Sequence, residues 1–268
     1  MPDSYRDPLD RLMRLGAEPA RRRVWPDYRH LGLTDRHVPA LINIATDPAL
    51  HAGEERDRSV WAPIHAWRAL TQLGATTAAV PLLSVLEREI ENDWVLDELP
   101  AVLGMLGPPA LPGATLLLFD EEKPFSVRFA AARTIANVAL EHPERRDEAV
   151  AVLAKQLEDH AHQQPDLNAV LIAELVELEA TEAAPVIEAA FAAKAVDLRV
   201  QGDWEDVQIA LGLLEARVTP PIAWSPLGED EYDAAPPPDR PRSPDADVRA
   251  RKRRKTAKQS RKRNRRRK

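Results

Sequence analysis

FSVRFAAARTIANVALEHPERRDEAVAVLAKQLEDH, residues 125–160, decides the fold of this 268-residue chain. Val127, Ala131, Ile135 and Val138 recur at helical spacing, and Val150, Leu153 and Leu157 do so again beyond Pro143. The stretch therefore predicts two helices back to back, each apolar along one face. Such a face must be buried against another element. Similar pairs lie on both sides, so the neighbouring pair is the expected partner.

Towards the N-terminus, residues 60–93 (VWAPIHAWRALTQLGATTAAVPLLSVLEREIEND) read as a pair whose first helix closes at Leu73-Gly74. Its second helix is expected to carry Val80, Leu83, Leu86 and Ile90 on one face. Residues 94–120 repeat the design, and Gly74 and Gly107 each follow a leucine where a helix end wants a positive φ. A fourth pair is predicted over residues 167–194. Pro81, Pro112 and Pro185 all fall early in a second helix, where a fixed φ helps and a missing N–H costs little.

The ends are less regular. Residues 8–16 predict a short helix, and RRRVW at 21–25 forms a small basic cluster. Thr34 or Asp35 is a candidate N-cap for a helix with Val38, Leu41, Ile42 and Ala45 on its apolar face and Pro48 as its stop. Residues 1–50 are thus expected to form an N-terminal helical cap. At the other end, Asp203 suits the N-cap of a last helix running through Leu214, with Pro220 and Pro221 closing the folded part. Few aromatics and short β-branched runs agree with an all-α chain. A helix pair every 30 to 40 residues over 51–221 predicts an α-solenoid.

The pattern VRFAAARTIANVAL, with RALTQLG and AVLGMLG at matching places, resembles HEAT-like repeats of the kind first recognised in phycobilisome lyases. The blocks DWVLDELPAVLGMLG and GDWEDVQIALGLL more narrowly resemble a bacterial family of uncharacterised HEAT-like proteins. The resemblance covers roughly residues 35–218 and implies a stack of helical hairpins. Such stacks serve as scaffolds, as lyases and as glycosylases, so the resemblance speaks to fold more than to function.

Charge divides the chain in two. Residues 239–268 hold 16 Lys+Arg against 3 Asp+Glu, whereas residues 1–238 hold 21 against 40. Residues 222–248 have the composition of a Pro/Asp-rich linker, which would average roughly 27 Å end to end as a flexible chain. Residues 249–268, with 14 Lys+Arg and no acid, cannot bury a core and are expected to be a disordered basic tail. Arg251, Lys252, Arg253, Arg254, Lys255, Arg261, Lys262, Arg263, Arg265, Arg266, Arg267 and Lys268 are its candidate polyanion contacts. Counterion release would give nucleic-acid or ribosome binding a salt slope of about −5 to −10. No aromatic interleaves these cations, so sequence reading by base stacking is not expected. Contact with the acidic body and a solubility or targeting role are the other uses of such a segment.

Two acidic-aromatic clusters are the candidate protein-binding residues: Asp93, Trp94, Asp97 and Glu98, then Asp203, Trp204, Glu205 and Asp206. Their carboxylates and rings could grip a basic partner. The alternative is that each Trp packs between repeats while Asp93 and Asp203 cap helices. Trp61, His65 and Arg68 share one helical face with Trp67 pointing elsewhere, which suits packing between repeats or, less simply, a ligand face.

Catalytic signals are few. No cysteine, GxGxxG, GxxxxGK, HExxH or GxSxG occurs, and His160 and His162, two apart, do not share a helical face. No metal or other cofactor is expected. Neither a signal peptide nor an apolar run of about 18 residues is apparent, so a soluble cytoplasmic protein is expected. The favoured function is a non-catalytic scaffold, its acidic body holding a protein partner and its tail a nucleic acid or ribonucleoprotein. The oligomeric state is left open. The resemblance leaves a bilin lyase-type or DNA glycosylase-type enzyme as the alternative, though an acidic body would repel a duplex.

Overall fold

The computed structural model describes residues 7–17, 24–53 and 57–221; the linker at 222–248, the tail at 249–268 and the arginines at 21–23 lie outside them. The described elements are helical, and no strand occurs among the described residues. The N-terminal part holds α1 (Leu9–Met13), α2 (Val38–Thr46) and the one-turn α3 (Pro48–His51). Four pairs follow: α4 (Ala62–Leu73) with α5 (Ala79–Arg88), α6 (Asp93–Leu106) with α7 (Leu111–Phe119), α8 (Phe125–Glu141) with α9 (Arg146–Leu157), and α10 (Pro165–Glu177) with α11 (Ala184–Ala192). The short helices α12 (Leu198–Gln201) and α13 (Trp204–Leu211) close the described chain.

Contacts run in order along two layers. The first helices touch in the sequence α4, α6, α8, α10, α13, and the second helices in the sequence α2, α5, α7, α9, α11. Between layers, α5 packs on α6, α7 on α8, and α9 on both α8 and α10. Each apolar face is therefore covered partly by the next pair, as the 125–160 stretch requires: Val127, Ala131, Ile135, Val138, Val150, Leu153 and Leu157 are all buried. Arginines stitch successive pairs by satisfying carbonyls that a helix end leaves open. Arg128 donates to Leu118 O (2.8 Å) and Arg146 to Leu178 O (2.9 Å) and Glu179 O (3.1 Å).

Every second helix opens through one 3₁₀ turn: Thr76–Ala78, Pro108–Ala110, Pro143–Arg145 and Thr181–Ala183. Three of the preceding first helices end on a positive φ, at Gly74 (66°), Gly107 (94°) and Glu179 (53°).

Some local expectations need correction. Of the expected stripe Leu83, Leu86 and Ile90 are buried but Val80 is 64% exposed, because Ala79, Leu82 and Val85 complete the buried face of α5 on the side away from Val80. Leu41, Ile44 and Ala45 line the buried face of α2, with Val38 and Ile42 only half-buried. Pro48 begins α3 as well as stopping α2. The last helix ends at Leu211, three residues early, because Gly212 takes a left-handed conformation (φ 76°). No described helix is long and apolar enough to cross a membrane.

Candidate partner-binding surface

Within α6, the cluster DWVLDEL divides into two stripes about 100° apart around the helix. Asp93 and Asp97 share the exposed stripe; Trp94 and Glu98 share the one turned towards α4. The N-cap is Asn92, whose Oδ1 accepts from Trp94 N (3.0 Å), and not Asp93. Asp93 opens the first turn instead, where its charge favours the positive end of the helix dipole.

Glu98 is committed inside the chain. Its carboxylate accepts from Trp67 Nε1 (2.7 Å), from Arg68 Nε (2.7 Å) and from Arg68 Nη2. Arg68 is only 1% exposed, with its guanidinium carbon 5.2 Å from the Trp25 ring centre and 5.9 Å from that of Trp94. Trp94 in turn stands edge-on to Trp61 at 5.7 Å. A guanidinium held by a forked carboxylate between indole faces is a packing device at this depth.

The same core reaches the N-terminal segment. His65 Nε2 lies 2.9 Å from Gly16 O, an atom that only accepts, so Nε2 carries the proton. Nδ1 then accepts from the Tyr28 hydroxyl at 2.7 Å. Burial, with a smaller push from Arg68 and against the Gly16 bond, brings the His65 pKa down to about 4 and keeps the ring neutral at neutral pH. Burial likewise raises the Tyr28 hydroxyl above its ordinary range, against Arg68. Trp61, His65 and Arg68 thus share an interior face, and Trp67 is buried on another, stacked 6.5 Å from His51.

The second cluster is a clasp. Asp203 caps α13 by accepting from Asp206 N (3.2 Å), and Asp206 accepts from Asp203 N (3.2 Å). Arg217, fourteen residues on, donates to both Asp203 oxygens (2.9 and 2.6 Å) and lies 2.7 Å from Asp206 Oδ1. Glu205 accepts from Val218 N (2.9 Å) and Thr219 N (3.1 Å). Arg217 holds Asp203 below the usual carboxylate range, the Thr219 and Val218 amides do the same for Glu205, and the two aspartates raise Arg217. Trp204 packs 6.0 Å from Phe191. Spacing within DWED gave no hint of Arg217.

What stays at the surface is the pair Asp93 and Asp97, one turn apart, with no hydrogen bond or salt bridge among the described residues. Partial burial, then repulsion from Asp93, raise the Asp97 carboxyl above its ordinary range, with Arg133 opposing. Arg133 belongs to α8, lies 5.7 Å from the Phe129 ring centre and reaches Glu174 of α10 at 3.8 Å. Neighbouring first helices therefore present acid, arginine and acid in a row. Phe129, Arg133 and Glu174 escaped the sequence reading, although Phe129 and Arg133 stand one helical turn apart in VRFAAARTI. The tail residues from Arg251 to Lys268 lie outside the described residues. No family model, curated protein or solved structure matches the chain.

Proposed function

We propose that this chain is a non-catalytic, cytoplasmic scaffold: an α-solenoid of HEAT-like pairs whose acidic body holds a basic protein partner. Its Lys/Arg-rich tail then tethers the assembly to nucleic acid or a ribonucleoprotein. Two ordered helix layers support the solenoid reading, since pairs that bury their faces against successive neighbours leave long surfaces open. The described residues carry 32 Asp+Glu against 16 Lys+Arg, so those surfaces are acidic.

The observation that carries the proposal is the exposed pair Asp93 and Asp97. Like charges one turn apart weaken a helix slightly, and this pair has no cation bonded to it among the described residues. A basic side chain from a partner would relieve that repulsion. The other clustered acids, Glu98, Asp203, Glu205 and Asp206, already have internal donors.

The test is affinity capture on immobilised residues 1–238, comparing the natural sequence with the double substitution Asp93→Lys and Asp97→Lys. A basic protein retained by the first and released by the second at low salt is the expected result. Identical captured sets from both would remove this face from the account.

A further inference from the structure

Behind the loop between α7 and α8 lies a pocket of about 320 Å³, lined by Phe119, Glu121, Lys155, Gln156, Glu158 and Asp159. Gln156, one of these residues, carries a buried acceptor whose identity the surrounding amides fix. Asn168 Nδ2 donates to His160 O (2.9 Å) and Ala195 O (2.7 Å), and backbone carbonyls only accept. Asn168 Oδ1 must therefore face Gln163, whose Nε2 donates to it (2.6 Å) and to Gln156 O (3.0 Å). Gln163 Oε1 is then left to accept from Gln156 Nε2 (2.9 Å) and Arg128 Nη2 (3.4 Å). The chain of amides ends at Gln156 Oε1, an oxygen on a side chain 5% exposed that has no hydrogen-bond partner. Turning the Gln156 amide over would break its bond to Gln163, so the orphan is an acceptor and calls for a donor.

The rest of the pocket selects a cationic donor. Glu121 is exposed and makes no hydrogen bond or salt bridge among the described residues. Lys155 is already paired with Glu158 (2.6 Å), and Asp159 with His162 (2.7 Å). Arg128, which donates to Gln163 and does not line the pocket, is acted on by Glu121, Asp120 and Asp159, so that cation is balanced by nearby acids. Phe119, 41% exposed, gives an aromatic wall. A planar guanidinium can stack on a ring while its fork of N–H groups reaches a carboxylate and a second acceptor, which a compact ammonium does less well.

Resting on the scaffold reading, we propose that this pocket receives an arginine side chain of the basic protein partner, with Glu121 as counter-ion, Gln156 Oε1 as inner acceptor and Phe119 as the stacking wall. The probe is a blocked single arginine, titrated into isotopically labelled full-length protein while the Gln156 side-chain amide and the Glu121 backbone amide are followed by NMR. The blocked citrulline analogue, the same shape without charge, is the control. Saturable shifts at these residues are expected with arginine, at a roughly tenfold lower concentration than with citrulline, and Glu121→Gln should weaken arginine about three- to fivefold. Equal responses to the two ligands, shifts that miss Gln156 and Glu121, or an unchanged affinity in Glu121→Gln would overturn the assignment. Gln156→Met, which removes the acceptor, should weaken arginine as well. Since the probe needs no partner, arginine binding with no captured protein would sink the scaffold reading alone.

Discussion

Glu98 takes donors from both Trp67 and Arg68, so neutralising it would leave a guanidinium that is 1% exposed without its counter-ion. Glu98→Gln is expected to lower stability by about 3 kcal/mol in a urea titration, the scale for breaking one side of a buried pair. Its neighbour Asp97 should behave oppositely. An acid whose folded pKa is raised makes the protein less stable as pH rises through that value, because the folded state prefers the proton. Asp97→Asn should therefore gain about 0.3 kcal/mol at neutral pH, and the gain should fade as pH falls until the native carboxyl is itself neutral. A loss in Asp97→Asn at neutral pH would mean that Asp97 has a partner within the chain. The residue types of this cluster were legible in the sequence, but their fates were not. Burial of Glu98 depends on Arg68, thirty residues away, and the exposure of Asp97 depends on nothing packing over that stripe. Asn92 took the capping role from Asp93 because a cap must stand just before the first turn, a distinction of one residue.

At the scale of elements, the succession of helices was the most legible feature, since apolar spacing and helix-ending glycines are local signals. Misplacing Val80 shows the limit. The residues 79–90 contain enough apolar positions to draw more than one stripe, and packing on α6 chose the stripe. The fourth pair departs from the glycine pattern: Glu179 takes φ 53° where the first pair uses Gly74 at 66°. A side chain in that region costs about 1 kcal/mol. Glu179→Gly should thus stabilise the protein by up to about 1 kcal/mol, and Gly74→Ala should cost about as much. At Gly74 an added Cβ meets nothing within 4 Å, so only backbone strain is read. Equal and small effects in the two variants would show that these helix ends relax into another conformation.

Across the whole molecule, the sequence separates an acidic body from a cationic end, with residues 1–238 at 21 Lys+Arg against 40 Asp+Glu and residues 239–268 at 16 against 3. That division was readable from composition alone, whereas the Arg217 clasp and the Gln156 pocket were not. Both depend on side chains brought together by the turn of the chain. In the proposed scaffold the two regions have different ligands, and their salt responses should differ accordingly. The most direct measurement is equilibrium binding of duplex DNA and structured RNA to the full chain and to residues 1–238 across a range of salt. The scaffold account predicts tight binding by the full chain, falling with salt on a log–log slope between about −5 and −10, and loss of that binding on truncation. Equal binding by both forms, or none by either, would contradict it.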